Sequence, residues 1–127
     1  MAQVKNDNKN TRGALRKMDL RPSELFLLEK VAANLFRGIE SVGGRLSITN
    51  ERLVFEPHAI NIQSNILELN VQDIVKVEKR NNLLVVPNGM KLTTGDGKEY
   101  KFVIWNRSKI IELLNQTIKQ AQQVIIS

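Results

Sequence analysis

The sequence contains no cysteine and only one histidine, His58, among its 127 residues. Without thiolates there is no disulfide, no cysteine nucleophile and no cysteine-ligated metal, and this composition fits a reducing cytoplasm. A lone histidine next to Pro57 at a predicted strand end is more typical of a surface or capping residue than of a catalytic base. The zinc-helix, phosphate-loop and nucleophile-elbow motifs are also missing. We therefore predict a protein that is not an enzyme, needs no metal or other cofactor and takes no small-molecule substrate.

Long apolar runs and aromatic residues are scarce as well. Residues 1–20 are polar and resemble neither a secretory signal nor a membrane-spanning helix. Aromatic residues make up 5% of the chain and are not interleaved with a basic patch, so nucleic acid is not an expected partner. We expect a soluble, cytoplasmic protein, with peripheral attachment to a membrane left open.

The positive charge is concentrated at the N-terminus. Residues 1–21 carry a net charge of +4, and the remaining residues carry only +2. Such a polar segment buries too little apolar surface to offset the entropy lost on ordering. We predict a basic, disordered leader over residues 1–21, followed by a single domain over residues 22–127. A solvated leader is favoured over an arm that binds membranes or nucleic acid.

The most informative stretch is residues 43–58, which reads as a β-hairpin. On both sides of Asn50 and Glu51, apolar residues occupy alternate positions: Leu46, Ile48, Leu53 and Phe55. Asn tolerates the positive φ of a tight turn, so the turn is predicted at Asn50 and Glu51. Pro57 should end the second strand because it has no N–H to donate.

The segment before the hairpin has two interpretations, because periodicity does not separate a helix from a strand there. Three apolar residues have helical spacing: Leu25, Leu28 and Ala32. Residues 29–37 could equally form a strand. We favour a short helical turn at residues 22–24 and then a strand through residues 34–36, with a loop over residues 37–45.

After the hairpin we predict a fourth strand through five apolar residues: Ile60, Ile62, Ile66, Leu67 and Leu69. Residues 73–80 alternate, with Val75 and Val77 expected to face the core, and the two asparagines at 81–82 should end that strand. The next two strand pieces, residues 83–86 and 90–94, should be separated by residues 87–89.

Residues 94–98, Thr-Gly-Asp-Gly-Lys, form the strongest turn signal in the chain, because Asp-Gly supplies the residue of positive φ. A last strand should follow over residues 100–104. From Asn106 onward, apolar residues recur every three or four positions: Ile110, Leu113, Leu114, Thr117, Ile118, Ala121, Val124 and Ile125. This spacing predicts an amphipathic helix that packs on the sheet. The apolar residues 124–126 could instead contact a partner protein.

These motifs together resemble the GRAM domain, a relative of the pleckstrin-homology fold. The resemblance covers about residues 29–114 and depends chiefly on Gly-Arg-Leu-Ser-Ile-Thr-Asn at 44–50 and Arg-Leu-Val-Phe at 52–55. It implies a mainly β fold, a partly open barrel of seven antiparallel strands capped by one C-terminal helix. It also implies a non-catalytic role in binding phosphoinositides, membrane surfaces or proteins, here in a small stand-alone member of bacterial type.

Basic residues are the candidates for binding an anionic ligand. The resemblance places such ligands around the first strand-connecting loop, where Arg37 and Arg45 could pair with phosphate oxygens. A second group could gather along one sheet edge: Lys76, Lys79, Arg80 and Lys91. Each basic residue near an anionic bilayer contributes about 1 kcal/mol, so lipid binding should be weak and salt-sensitive. A charged face that prevents edge pairing explains the same residues.

The function predicted from these observations is a non-enzymatic GRAM-type adaptor that binds a protein partner or a second copy of itself. Its motivation is a set of structural motifs without catalytic residues. The alternative is weak peripheral binding to anionic lipid or phosphoinositide headgroups.

Overall fold

The computed structural model describes residues 19–58, 65–82 and 86–126. Within these ranges, seven strands and one helix follow each other: β1 (Phe26–Arg37), β2 (Glu40–Thr49), β3 (Arg52–Pro57), β4 (Leu67–Asn70), β5 (Ile74–Asn82), β6 (Val86–Thr94), β7 (Glu99–Ile104) and α1 (Arg107–Ile126). A single 3-10 turn, Val71–Asp73, joins β4 to β5. All strand pairs are antiparallel, in the order β4-β3-β2-β1-β7-β6-β5. The predicted fold class, seven antiparallel strands in a partly open sheet with one C-terminal helix, is confirmed.

The core lies between the inner face of the curled sheet and α1. The four apolar residues of the predicted hairpin are completely buried, as are Met90 and Leu92 of β6. The rings of Phe55 and Phe102 meet edge to face, with their centroids 5.8 Å apart. From the helix, Ile110 and Leu114 complete this cluster. Burying each such aliphatic side chain is worth roughly 1.5–3 kcal/mol, so the predicted helix stripe docks on the sheet.

The central hairpin forms at the predicted residues, with β2 ending at Thr49 and β3 beginning at Arg52, but Asn50 does not adopt the expected positive φ. Pro57 is the last residue of β3. Gly44 allows the two strands to approach, because a Cβ there would lie 2.3 Å from the carbonyl oxygen of Glu56 and 2.7 Å from the ring of Phe55. The glycine of the family motif is therefore required by packing between β2 and β3.

The predicted helical turn before β1 is wrong. Residues 22–23 form a turn, and the strand starts at Phe26 and runs through the predicted residues 34–36. The register of β1 against β2 shifts between Phe26 and Leu28 and again between Leu28 and Val31. Of the three residues with helical spacing, only Leu28 packs against the core, because Leu25 is 67% exposed ahead of the strand and Ala32 is exposed.

The predicted loop over residues 37–45 is also wrong, because β2 already begins at Glu40. Only Gly38 and Ile39 connect β1 to β2, and Gly38 has a φ of +66°. The pairing of Arg37 with Glu40 closes this tight turn directly. Alternation is weak here because small residues, including two glycines, occupy the first half of β2.

Three predictions about β5 and β6 are corrected. Val75 points outward and is 60% exposed, since a bulge between Ile74 and Lys76 reverses the alternation. The predicted break at residues 81–82 is absent, because β5 includes both asparagines and ends at Asn82. Residues 87–89 lie inside β6 instead of separating two strands. Gly89 allows this, because a Cβ would lie 2.1 Å from the Arg80 carbonyl oxygen of the neighbouring strand.

Several predictions fall on residues outside the described ranges. They concern Ile60 and Ile62 of the fourth strand, residues 83–85, and most of the leader. The side chains at 124–126 are outside the description as well. At the end of the predicted leader, Asp19 and Arg21 do contact the domain, through hydrogen bonds to Arg52 and Glu24.

Candidate binding surface

Arg37 and Arg45, the first predicted pair, lie far apart. Arg45 pairs with Ala32, five residues before Arg37 on β1, which corresponds to about 17 Å along the strand. They also lie on opposite faces, because Arg45 belongs to the exposed outer set and Arg37 continues the inner set of Ala33 and Leu35. Arg37 donates a hydrogen bond of 2.9 Å to the carbonyl oxygen of Asn65. The geometry therefore does not unite the two arginines around one headgroup.

The second predicted group is divided between the two faces of the β5–β6 pair. Lys91 lies on the outer face, 3.4 Å from Glu78 and 3.2 Å from Glu99, while Lys76 lies 3.9 Å from Glu78. The hydrogen bond and positive charge of Lys91 lower the pKa of Glu99. Because its charge is matched by two carboxylates, Lys91 is a poor anchor for an external anion.

Lys79 and Arg80 complete this group but differ in direction. Lys79 is paired with buried Met90 and turns toward α1, whereas Arg80 is on the outer side with its partner Gly89. The carbonyl oxygens of Arg80 and Gly89 accept hydrogen bonds of 3.2 and 3.1 Å from Nη1 of Arg107, the first helical residue. This contact fixes the start of α1 beside the end of β5.

A buried ion pair that the sequence did not indicate joins the segment before β1 to the central hairpin. The side chain of Glu24 is completely buried, and its Oε2 accepts hydrogen bonds of 2.6 Å from both Arg52 Nε and Thr49 Oγ1. Its Oε1 accepts from Arg52 Nη2 at 2.9 Å and from the Arg21 backbone N–H at 2.8 Å. Arg52 Nη1 also donates to Glu68. Thr49 and Arg52 of the Thr-Asn-x-Arg motif therefore hold the segment before β1 against the central hairpin.

These contacts determine the ionisation of the pair. Burial is the largest influence on the pKa of Glu24 and raises it, but the hydrogen bonds from Arg52, Thr49 and the Arg21 backbone together outweigh burial. They lower the pKa of Glu24 from 4.5 to about 2. The hydrogen bond to Glu24 likewise raises the pKa of Arg52. Both groups therefore remain charged and paired throughout the neutral range.

A groove lies between β5 and α1. Among the described residues, β5 is an edge strand of nine residues that pairs only with β6. Next to it lies a cavity of about 460 Å³ lined by Lys79 and one stripe of the helix: Ser108, Ile111, Glu112, Asn115, Gln116 and Lys119. We call this feature the β5–α1 groove. Sequence analysis identified Lys79 but not its helical neighbours, because only the packing of α1 brings them together.

Within the described ranges, no cluster of side chains indicates a catalytic site. His58 is exposed at the strand end, as predicted, with its ring near Gly43. No group of three or more histidine or carboxylate side chains there could hold a metal ion. A polar cleft between Glu68, Asp73 and Asp96 is lined by Tyr100, and Asp96 is already engaged by Thr94 and the Lys98 backbone N–H.

The model of the GRAM domain family matches residues 12–123. This chain belongs to the GRAM domain family. A comparison with curated protein sequences gives no match.

Solved structures similar to this GRAM domain support a pleckstrin-homology-like fold. The C-terminal domain of an unknown protein from Leishmania infantum has a TM-score of 0.67 at 15% identity, covering 89% of this chain and 98% of that one. The N-terminal PH domain of human ARAP2 has a TM-score of 0.58 at 8% identity, covering 82% and 86%. The DH/PH domains of PDZ-RhoGEF, in complex with activated RhoA, give 0.60 at 11%, covering 78% and 31%.

GRAM and pleckstrin-homology-like domains are generally non-catalytic modules that bind proteins or lipids, and this fold indicates a binding module of that kind. No helix within the described residues is long and apolar enough to cross a bilayer.

Proposed function

We propose that this GRAM domain is a non-enzymatic adaptor whose ligand is another protein. The observation that supports this proposal most directly is the β5–α1 groove. There, a strand with no second strand neighbour among the described residues adjoins a helix stripe that offers both polar and apolar contacts. Unpaired strand edges bind extended segments through main-chain hydrogen bonds. The DH/PH domains of PDZ-RhoGEF, of which the similar part makes up 31%, were solved in complex with activated RhoA, and this supports a protein as the ligand.

Affinity capture with the full chain from lysate of its own host, run beside vesicle co-sedimentation, tests this proposal. We expect a protein that is retained after detergent washing, which removes lipid-mediated capture. Light scattering of the isolated chain over a range of concentrations distinguishes two kinds of partner. A mass that rises with concentration indicates binding to a second copy, and a constant monomer mass indicates a different protein. Retention of vesicles without any protein would refute the proposal.

Weak peripheral binding to anionic lipid is the second candidate, and one observation favours it. Ile39 is fully exposed at the tip of the β1–β2 turn, next to Arg37. An apolar tip beside a cation suits the interface of an anionic bilayer. We propose that such contact would be cytoplasmic and peripheral, assisted by the basic leader over residues 1–21.

Co-sedimentation with vesicles of phosphatidylcholine, with and without phosphatidylserine, tests this alternative. Binding should require the anionic lipid, fall as salt is raised and weaken in Ile39→Ser. Val75→Ser is the matched control, since Val75 is also an exposed β-branched residue but lies away from that turn. Binding that ignores salt, or that both variants weaken equally, would contradict the alternative.

A further inference from the structure

We propose that Asp96 and Gly97, in the turn between β6 and β7, form a modification site at which the backbone converts to isoaspartate when the turn opens. The hydroxyl group of Thr94 keeps this site closed in the folded domain. Neither a protein partner nor a lipid takes part, because the reaction occurs within the chain itself.

The reaction joins two groups that are adjacent in the chain. The backbone nitrogen of Gly97 attacks Cγ of the protonated Asp96 carboxyl group and forms a C–N bond, and the proton of the nitrogen leaves with the carboxyl hydroxyl as water. Water then opens the succinimide ring at either carbonyl, which regenerates aspartate or gives isoaspartate. These steps need no oxidant, reductant or further reactant. Glycine favours ring closure because it has no side chain to hinder its nitrogen.

The chain contains one other aspartate or asparagine that is followed by glycine, and the fold treats the two pairs differently. Asn88 and Gly89 lie inside β6, where Gly89 has register partners on both β5 and β7. Ring closure there requires β6 to leave both neighbours, which amounts to global unfolding. Asp96 and Gly97 are exposed beyond the end of β6. Opening of their turn breaks only local contacts.

Those local contacts engage both reacting groups. The N–H of Gly97 donates a hydrogen bond of 2.9 Å to the carbonyl oxygen of Thr94. Oδ1 of Asp96 accepts hydrogen bonds from the Thr94 hydroxyl at 2.5 Å and from the Lys98 N–H at 3.1 Å. These donors, the hydroxyl foremost, lower the pKa of Asp96. The carboxyl group therefore stays ionised, whereas ring closure requires the protonated acid.

Thr94 is the residue that holds the turn together. It is only 6% exposed, and its own N–H donates a hydrogen bond of 3.0 Å to the carbonyl oxygen of Lys98. A hydrogen bond to a charged acceptor is stronger than one between neutral groups. Loss of the hydroxyl should therefore release the carboxyl group of Asp96 and increase the population of the open turn. Isoaspartate adds one carbon atom to the backbone, so the modified turn no longer matches the spacing of β6 and β7.

Incubation of the full chain at pH 7 and 37 °C in water enriched in ¹⁸O tests this proposal. Each passage through the ring adds labelled oxygen, even when aspartate is regenerated. Trypsin separates the two pairs, because cleavage after Arg80, Lys91 and Lys98 gives peptides of residues 81–91 and 92–98. Mass spectrometry with electron-transfer fragmentation then measures the label at each pair and distinguishes isoaspartate from aspartate.

We expect folding to reverse the order in which the two pairs react. In guanidinium, Asn88 should react faster than Asp96, because a neutral amide is a better electrophile than an ionised carboxylate. In the folded chain, Asp96 should take up label faster, because its turn opens locally while β6 stays paired. Thr94→Val should raise the rate at Asp96 by about tenfold. Thr94→Ser keeps the hydroxyl and should react at the rate of the wild type.

Two comparisons distinguish a local role of Thr94 from general destabilisation of the domain. Asn88 is the internal reference, since a loss of global stability raises its rate as well. Thr93→Val is the matched control, because Thr93 is the neighbouring threonine of β6 but is not one of the described groups that hydrogen-bond Asp96. This variant should leave the rate at Asp96 unchanged.

Four results would overturn the proposal. They are a faster reaction at Asn88 than at Asp96 in the folded chain, an equal rise at both pairs in Thr94→Val, an unchanged rate at Asp96 in that variant, and a Thr94→Ser variant that reacts as fast as Thr94→Val. The first would mean that the turn is protected as strongly as the central strand. The others would mean that the hydroxyl of Thr94 does not keep the site closed.

Discussion

Replacing Glu24 with glutamine should destabilise the domain at neutral pH and make its stability less dependent on acid. The carboxylate is buried beneath Arg52 and Thr49, and the contacts of its charged form lower its pKa from 4.5 to about 2. A group with a lowered pKa stabilises the folded state fully above its unfolded pKa and loses that effect as the pH falls through its folded pKa. Glu24 therefore loses its contribution to the free energy of unfolding as the pH falls from about 4.5 to about 2.

The magnitude follows from the size of the pKa change. A change of about 2.5 units corresponds to about 3 kcal/mol of stability at pH 7, at about 1.4 kcal/mol for each unit. Because titration is gradual, about 2 kcal/mol of this contribution should be lost by pH 3. Removing the other partner is more severe, since Arg52→Met leaves an uncompensated buried carboxylate at a cost of about 3–5 kcal/mol at pH 7.

Urea unfolding followed by tryptophan fluorescence at pH 7 and pH 3 measures these differences. The difference in the free energy of unfolding between the wild type and Glu24→Gln should be smaller at pH 3 than at pH 7 by about 2 kcal/mol. Glu29→Gln is the matched control, because Glu29 is exposed and makes no hydrogen bond or ion pair within the described ranges. The free energy of unfolding of Glu29→Gln should match that of the wild type at both pH 7 and pH 3.

The reasoning would be refuted if the difference in the free energy of unfolding between the wild type and Glu24→Gln were the same at pH 7 and pH 3. That result would mean that Glu24 titrates normally in the folded protein and that its contacts with Arg52 and Thr49 contribute little. An equal narrowing for Glu29→Gln would assign the effect to net charge instead of to the buried pair.

Other substitutions test the packing, again by urea unfolding. Gly44→Ala should cost about 1–3 kcal/mol, because its Cβ would collide with the β3 backbone. Gly43→Ala meets only a movable histidine ring and should cost less than about 0.5 kcal/mol; equal costs would contradict this packing. Leu114→Ala should cost about 2–5 kcal/mol, whereas Lys119→Ala on the exposed helix face should change stability by less than about 0.5 kcal/mol. Asn50→Ala removes hydrogen bonds to the backbone of residues 23 and 25 and should cost about 1–3 kcal/mol; a neutral result would mean that water replaces them.

Where the local pattern was strong, the fold could be predicted. The alternation on both sides of Asn50 and Glu51 placed β2 and β3 correctly, and the period change at Asn106 placed α1 to within one residue. These signals are reliable because side-chain direction follows directly from backbone conformation, with period two in strands and about 3.6 in helices. The turn at residues 94–98 is confirmed as well, because Gly97 takes the positive φ, +89°, that the Asp-Gly pair was expected to supply.

Bulges and tight contacts defeated the prediction elsewhere. The helical spacing of Leu25, Leu28 and Ala32 was misleading because Leu25 and Ala32 are exposed, and the bulge after Ile74 turned Val75 outward. A bulge is defined by the pairing of two residues on one strand with a single residue on its neighbour. The sequence of the bulged strand alone therefore does not indicate where it lies. Residues 87–89 look like a turn in isolation but lie within β6 because Gly89 accommodates the backbone of Arg80.

The candidate surfaces show the same division. Arg37 and Arg45 do not form the predicted pair, because five register positions and opposite faces separate them. Anion binding by the basic residues stays a prediction. Lys91 was placed with the free cations although Glu78 and Glu99 neutralise it. Grouping of charges depends on strand neighbours, and the order of strands in a sheet is not encoded in local alternation.

The sequence by itself determined the central hairpin, the turn at residues 94–98, the start of the C-terminal helix and the small set of motifs that marks a GRAM domain. Only the tertiary structure decided that Glu24 pairs with Arg52 across 28 residues and that Lys79 shares a groove with Lys119. Local signals report the conformation of a few successive residues, whereas these contacts arise when the sheet curls and α1 docks on it. Distant residues meet only then, and the surfaces available for binding are formed at that step.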